Sequence, residues 1–316
     1  MSKRRWIWIA VGLGILLCLV TPLSCLWTSA LLLSPRSTTP AVWGDVVAIV
    51  RVEGTLVSGK GEDWLLSDSG NVYSESIIEE LRRAEGSPSV KAIVLRVNSP
   101  GGGVVASDEI YHALLEIEKP VVVSMSEVAA SGGYYISCGA DEIVANPTTL
   151  TGSIGVIGAS PNLEGLLDKI GIEVTVIKSG DMKDSLGPYR EPTEEELEYY
   201  QRIIDEAYAQ FVGIVAEGRD LPLEEVREIA DGRVYTGLQA LELGLVDQLG
   251  NFPEAIDLAA ELGGIEGEPQ IIDYGGPPTL MDVLLGAVRR LSPPISVDDF
   301  LGIERHFTIK YLYVRP

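Results

Sequence analysis

A serine set among small residues, Ala129-Ala130-Ser131-Gly132-Gly133, follows a strand-like run and lies downstream of a second glycine cluster, Pro100-Gly101-Gly102-Gly103. Nothing in the first run fills volume before Tyr134 and Tyr135, so packing does not account for Ser131. Acyl transfer requires a nucleophile, a base and donors for the developing oxyanion. On a turn that opens a helix Ser131 can be the nucleophile, with its own N–H and that of Gly132 directed at any negative charge formed there. The Pro-Gly-Gly-Gly corner ends a strand, where open α/β sheets place ligands, and offers a second donor. Singly these motifs are weak, because a serine at a helix start is usually an N-cap. Their combination at the carboxyl ends of neighbouring strands is what points to chemistry.

The base is constrained by a shortage of histidine. His112 lies inside a helical segment and His306 in the C-terminal tail, and neither follows Ser131, which argues against a Ser-His-Asp triad. Lysine remains, and the candidates downstream are Lys169, Lys178 and Lys183. A lysine of ordinary pKa is only about 0.04% neutral at pH 7, so a lysine base must be desolvated. Lys178 and Lys183 flank Ser179-Gly180, and spacing does not choose between them. Residues 149–155 add three hydroxyls, of which Ser153 is placed to hold a neutral lysine in line or simply to belong to a polar turn.

The elements that must position these residues read as alternating strands and helices. Residues 46–57, 90–97, 120–126 and 142–145 are β-branched runs; residues 76–85 and 104–118 have helical spacing, the first with a Ser76/Glu79 capping box. This order predicts crossover units and a mostly parallel sheet with helices on both faces. A helix at 162–169 and a strand at 173–178 follow. Residues 193–217 form a long amphipathic helix capped by Thr193 and Glu196, and shorter helices lie at 222–231, 238–243 and 252–262. From Glu266 the composition turns to Gly-Gly-Pro-Pro and Pro-Pro pairs around a helical patch at 280–291, a tail expected to be partly flexible or packed on a neighbour.

The chain has 316 residues with 24 basic against 46 acidic, net charge -22, a balance that disfavours nucleic acid and anionic lipid as partners. Between Arg5 and Arg36 no residue is charged, and the apolar run from Trp6 to Leu33 exceeds the ~20 residues needed to span a bilayer. Lys3, Arg4 and Arg5 precede it, which orients the N-terminus to the cytoplasm and the remainder outside. The run is longer than the apolar core of a cleaved signal peptide. The three cysteines make no framework and no metal-ligand spacing is present, so neither cofactor nor metal is expected. The expected organisation is an anchor over 1–35, a linker over 36–45, a catalytic domain over 46–265 and a tail over 266–316.

Five runs in fixed order carry a family resemblance: NSPGGGVVAS from Asn98, AASGGYYIS from Ala129, TLTGSIGVIG from Thr149, IKSGDMKD from Ile177 and DGRVYTGLQALELGLVDQLG from Asp231. Together they resemble the signal peptide peptidase A family. The resemblance covers residues 46–262 and includes the single anchor. It implies the crotonase/Clp protease-like α/β fold with repeated ββα-type units behind one transmembrane helix, and an extracytoplasmic serine endopeptidase that degrades residual signal peptides. It implies Ser131 as nucleophile, Lys183 rather than Lys178 as base, Gly102 and Gly132 as oxyanion donors and Ser153 as the hydroxyl orienting the lysine. It further implies apolar peptide substrates and a homo-oligomeric ring, an octamer of the short single-repeat type. The terminal run Tyr311 to Pro316 resembles a tail that relatives place in their own active sites. Glu127-Val128 and Met182 depart from the family pattern without touching the dyad. Competing readings are an acyl-CoA hydratase or isomerase of the same fold and an inactive membrane scaffold.

Overall fold

The computed structural model describes residues 44–61 and 70–275 together with the backbone of Ile309–Leu312. The anchor, most of the linker, the patch at 280–291 and His306 lie outside these residues. Among the described residues no helix is long and apolar enough to cross a membrane.

The first half of the chain repeats one motif. Strand β1 (Val46–Glu53) turns at Gly54, whose φ of 119° suits glycine, into β2 (Thr55–Val57); β3 (Asn71–Tyr73) then leads into helix α1 (Ser74–Glu85). The second unit is β4 (Val90–Ser99), β5 (Gly101–Gly103) and α2 (Val104–Leu115); the third is β6 (Val121–Ala130) and α3 (Gly132–Ser137). Strands β7 (Glu142–Ala145) and β8 (Leu150–Gly152) complete this half. The first two are the expected ββα units and the third lacks the short strand; the long strand of each joins a main sheet, and the short strands of the first two join a second, smaller one.

The main sheet runs β8, β6, β4, β1, with parallel pairing throughout. Strand β10 (Val234–Thr236) adds antiparallel to β8, β12 (Gln270–Asp273) adds parallel to β1, and β7 carries β11 (Gln248–Leu249) beside β6. Side chains alternate across such a sheet. Val47, Ile49, Ala92, Val94, Val122 and Val144 meet Ala255, Ile256, Ala259 and Ala260 of α8 (Phe252–Leu262) on one face. The alternate set, with Ala48, Val50, Ile93, Leu95 and Val123 fully buried, faces α1 and α3, and α2 packs on those two helices. β-branched side chains on both faces explain why these strands read as continuous apolar runs.

Several expectations are corrected. Helix α1 begins at Ser74, with Tyr73 as N-cap and no side-chain cap, so the Ser76/Glu79 capping box does not form. Ser74 Oγ instead donates to Glu109 Oε2 of α2 at 2.5 Å, a tertiary bond that replaces the local one. No strand forms at 173–178: the run is extended and exposed, with Val174 at 48% and Ile177 at 96% exposure, because a β-branched run becomes a strand only when another strand pairs with it. The box at Thr193 and Glu196 does form and opens the 25-residue α5 (Glu194–Gly218). The remaining helices are α4 (Glu164–Ile170), α6 (Leu223–Ile229) and α7 (Gly237–Glu242).

One titratable group is held at a cost. Oε2 of Glu80 in α1 is buried without a hydrogen-bond partner among the described residues, and burial, aided by Asp273 and Glu79 and opposed by Arg83, pushes the carboxyl up to about 7. A raised acid favours the fold while it is protonated, so stability falls as pH rises from the unfolded value near 4.5 through about 7. Glu80→Gln is therefore expected to be more stable than the parent by about 1–2 kcal/mol at pH 8, after discounting for solvent screening, with most of the difference gone at pH 5. Thermal unfolding at the two pH values checks this, and an equal shift at both would contradict it.

Candidate active site

Three segments of the site leave the carboxyl ends of three adjacent strands, β4, β6 and β8. The register of β6 with β8 pairs Ala130 with Gly152, and the next residue continues the contact, Ser131 N–H donating to Gly152 O at 2.7 Å. On the other side β4 and β6 slip out of register between Val97 and Ser99, which lets the chain leave β4 into the glycine corner. Ser99 Oγ donates to Gly54 O at 2.6 Å and accepts from Gly101 N–H at 3.1 Å, fixing that corner from within.

Ser131 occupies the N-cap position of α3 without capping it through its side chain. Its backbone has φ 54° and ψ -119°, and its hydroxyl makes no capping bond to α3. A non-glycine residue in this region stores about 1–3 kcal/mol of strain, which persists only where the surroundings impose it. Here the bond to Gly152 O holds the N–H and the first turn of α3 holds the carbonyl, since both Tyr134 and Tyr135 N–H donate to Ser131 O. Ser131→Gly is thus expected to raise stability by about 1 kcal/mol, strain relief exceeding the added freedom of the unfolded chain, while abolishing activity. Denaturant unfolding measures the first effect; a destabilised Ser131→Gly would show that the conformation is not strained.

Gly102 and Gly132 are brought together. A Cβ on Gly132 would stand 3.1 Å from Gly102 N, 3.1 Å from Gly101 Cα and 2.5 Å from Ser107 Oγ. One on Gly102 would lie 2.1 Å from Leu56 O, where β5 runs beside β2. Gly132 is the first residue of α3, so its N–H has no intrahelical acceptor. Two peptide units thus flank Ser131, neither carrying a side chain that would block a substrate carbonyl.

Strand β13 (Ile309–Leu312) lies antiparallel to β5, pairing Lys310 with Gly103, Tyr311 with Gly102 and Leu312 with Gly101. On its other edge it pairs with β9 (Ile157–Gly158). The backbone of the tail therefore fills a slot between the glycine corner and the segment that follows Ser153, in the manner of a peptide added to a sheet.

Ser153 is buried, with φ 52° and its N–H bonded to Arg233 O at 2.8 Å. It lines a cavity of about 570 Å³ together with Val156, Ile157 and the α5 residues Ile204, Asp205 and Tyr208. Lys183 is exposed on a one-turn 3-10 helix, Asp181–Asp184, where its backbone N–H donates to Gly180 O at 3.1 Å and its side chain makes no hydrogen bond or ion pair among the described residues, whereas Ser131 is 1% exposed. Lys178 is committed elsewhere: its ammonium donates to Asp184 Oδ1 at 2.7 Å and to Asp181 O at 2.8 Å. Lys169 is exposed in α4, a helix with no buried residue. His112 projects from α2 with 62% of its side chain exposed, 3.6 Å from Asp108, in keeping with a surface role. Cys138 offers no rival nucleophile, since burial pushes its thiol up to about 12.

Residues 113–266 match peptidase family S49, and residues 64–150 match the Clp protease family. A protein of Enterococcus faecium, provisionally named signal peptide peptidase SppA, is 36% identical over 284 residues, covering 81% of this chain and 80% of its own. The chain belongs to peptidase family S49. It is also 38% identical to Protease 4 of Salmonella typhi over 266 residues, 81% of this chain and 41% of that longer one. The chloroplastic serine protease SPPA of Arabidopsis thaliana is 38% identical over 272 residues, 84% of this chain and 39% of its own. As an S49 member the protein is a serine protease with a Clp protease-like mixed α/β domain. The acyl-CoA and scaffold alternatives give way to peptide hydrolysis.

Sequence reading overlooked the charged residues that flank Lys183. Asp184, Arg190 and Glu196 are linked side chain to side chain, and the only signal for them was the capping role of Glu196.

Proposed function

We propose that this serine protease is a membrane-anchored endopeptidase that degrades signal peptides left in the bilayer, with Ser131 and Lys183 as its catalytic dyad. Ser131 Oγ attacks the scissile carbonyl and its proton passes to Lys183 Nζ. The N–H groups of Gly102 and Gly132 receive the oxyanion, and its collapse expels the amine, which takes the proton from Lys183. Water, deprotonated by the same lysine, then cleaves the acyl ester and frees Ser131. Ser153 orients the lysine.

The observation that carries this reading is the seating of Ile309–Leu312 against Gly101–Gly103. An extended peptide bound in that slot presents its backbone to the two glycine amides beside Ser131. Recognition through main-chain bonds suits substrates such as signal peptides, which share apolar character more than sequence.

The apolar segment from Trp6 to Leu33 supplies the anchor and puts the catalytic domain outside the cytoplasm. A homo-oligomeric ring, an octamer in this reading, provides the desolvation a lysine base needs. The arm over residues 157–183 exposes Leu166, Ile170, Ile172, Val174 and Ile177 beside Lys183, and contact between protomers would cover them.

The test is incubation of the full-length enzyme with a synthetic signal peptide, followed by mass spectrometry of the fragments. Internal cleavage is expected with the parent and none with Ser131→Ala or Lys183→Ala. An intact peptide, under conditions where a fluorophosphonate labels Ser131, would overturn the substrate assignment.

A further inference from the structure

Lys183 sits on a turn with little apolar support. Asp181 and Lys183 are exposed and Met182 is 37% exposed, yet the residue next to the lysine, Asp184, is among the best buried carboxylates of the chain. Its side chain is 7% exposed and is gripped from two sides. Lys178 Nζ donates to Asp184 Oδ1 at 2.7 Å and to Asp181 O at 2.8 Å, a strap across the 3-10 turn. Arg190 donates to both carboxylate oxygens, Nη2 to Oδ1 at 2.8 Å and Nε to Oδ2 at 3.2 Å.

Arg190 then turns its remaining donors to Glu196, Nη1 to Oε2 at 2.9 Å and Nη2 to Oε1 at 2.5 Å. The Glu196 side chain, 3% exposed, also accepts from Thr193 N–H at 2.8 Å as the capping residue of α5. The chain of contacts therefore runs from the residue next to the candidate base to the fixed end of a 25-residue helix. Hydrogen bonds from Arg190 and then Lys178 hold the Asp184 carboxyl well below the usual range, and Arg190 holds Glu196 down at about 2.

Such a cluster is a poor way to gain stability, since desolvating ions offsets most of their attraction, but it fixes geometry. It also has equal charge of each sign, two cations against two carboxylates. The carboxylate adjacent to Lys183 is thus already paired, with Lys178 and Arg190. We propose that Asp184, clamped by Lys178 and by the Arg190–Glu196 pair, is a positioning device that holds the Lys183 turn in its working orientation. This rests on the reading of Lys183 as the base. Arg190 is suited to the task because its planar fork engages two carboxylates at once, which a lysine does not.

The experiment compares full-length parent, Asp184→Asn, Arg190→Lys, Lys178→Gln and Lys183→Ala for kcat and KM on a fluorogenic peptide, for the rate of fluorophosphonate labelling of Ser131, and for melting temperature. Asp184→Asn is expected to lower kcat about 10- to 100-fold and to slow labelling equally, with KM within about 2-fold of the parent. Arg190→Lys should fall between parent and Asp184→Asn. Parental kcat in Asp184→Asn, or a kcat loss seen only where the protein has lost its folded melting transition, overturns the clamp. Should Asp184→Asn fail to fold, Lys178→Gln decides, because that side chain is 32% exposed: a lower kcat with unchanged melting supports the clamp, and an unchanged kcat overturns it. Lys183→Ala at the parental rate removes the dyad and the clamp together, whereas an inactive Lys183→Ala beside a fully active Asp184→Asn removes the clamp alone.

Discussion

Ser131→Ala is expected to reduce kcat for peptide hydrolysis by at least about 10³-fold, Lys183→Ala by a similar factor, and the double variant by no more than either alone. The reason is that in the proposed dyad the two groups make one step. Without the hydroxyl no acyl-enzyme forms, and without the amine the hydroxyl proton has nowhere to go, so losing the second group after the first removes nothing further. What survives is the oxyanion site acting on water. Single-turnover hydrolysis by the four proteins measures this, and additive losses would mean that the residues act separately. In the proposed ring, contact between protomers desolvates the exposed Lys183, so a dilute monomer should behave like Lys183→Ala and activity should rise with protein concentration.

The second large effect concerns the two glycines. Gly102→Ala places a methyl 2.1 Å from Leu56 O, a backbone atom of the neighbouring strand, so β5 must move and carry its amide away from Ser131. Displacing one oxyanion donor costs about 10²- to 10³-fold in kcat. Gly132→Ala meets Ser107 Oγ at 2.5 Å, the tip of a side chain that bonds Gly103 O at 3.0 Å, with other neighbours no closer than 3.1 Å. The two therefore differ in their remedy. Adding Ser107→Ala is expected to restore much of the activity lost in Gly132→Ala and none of that lost in Gly102→Ala. Equal rescue of both, read from kcat on one peptide, would show that the losses do not arise from these contacts.

The strands and helices that build the site were legible because their signals are local. β-branched runs at 90–97 and 142–145 became β4 and β7, and the Thr193/Glu196 box started α5 where it was expected. The Ser76/Glu79 box failed because the helix starts at Ser74, which puts Ser76 inside its first turn, and Ser74 bonds Glu109, remote in sequence. The run at 173–178 failed for the converse reason, since no strand came to pair with it. Residue types marked Ser131, Gly132 and the glycine corner, and the family resemblance singled out Gly102 within it, yet the strain at Ser131 and the closeness of Gly132 to Gly102 depend on how β4, β6 and β8 end side by side.

Residue types and their order determined the chemistry available to this protein: a serine between small residues, two glycine corners, and lysine in place of histidine. Between Lys178 and Lys183 spacing was silent. The fold pairs Lys178 with the buried Asp184, whereas the Lys183 side chain is exposed and makes no ion pair among the described residues. Which strand ends meet, what clamps the lysine turn and which slot receives an extended chain were likewise decided only in three dimensions. Hydrogen bonds and close contacts between residues far apart in the chain leave no periodicity to read.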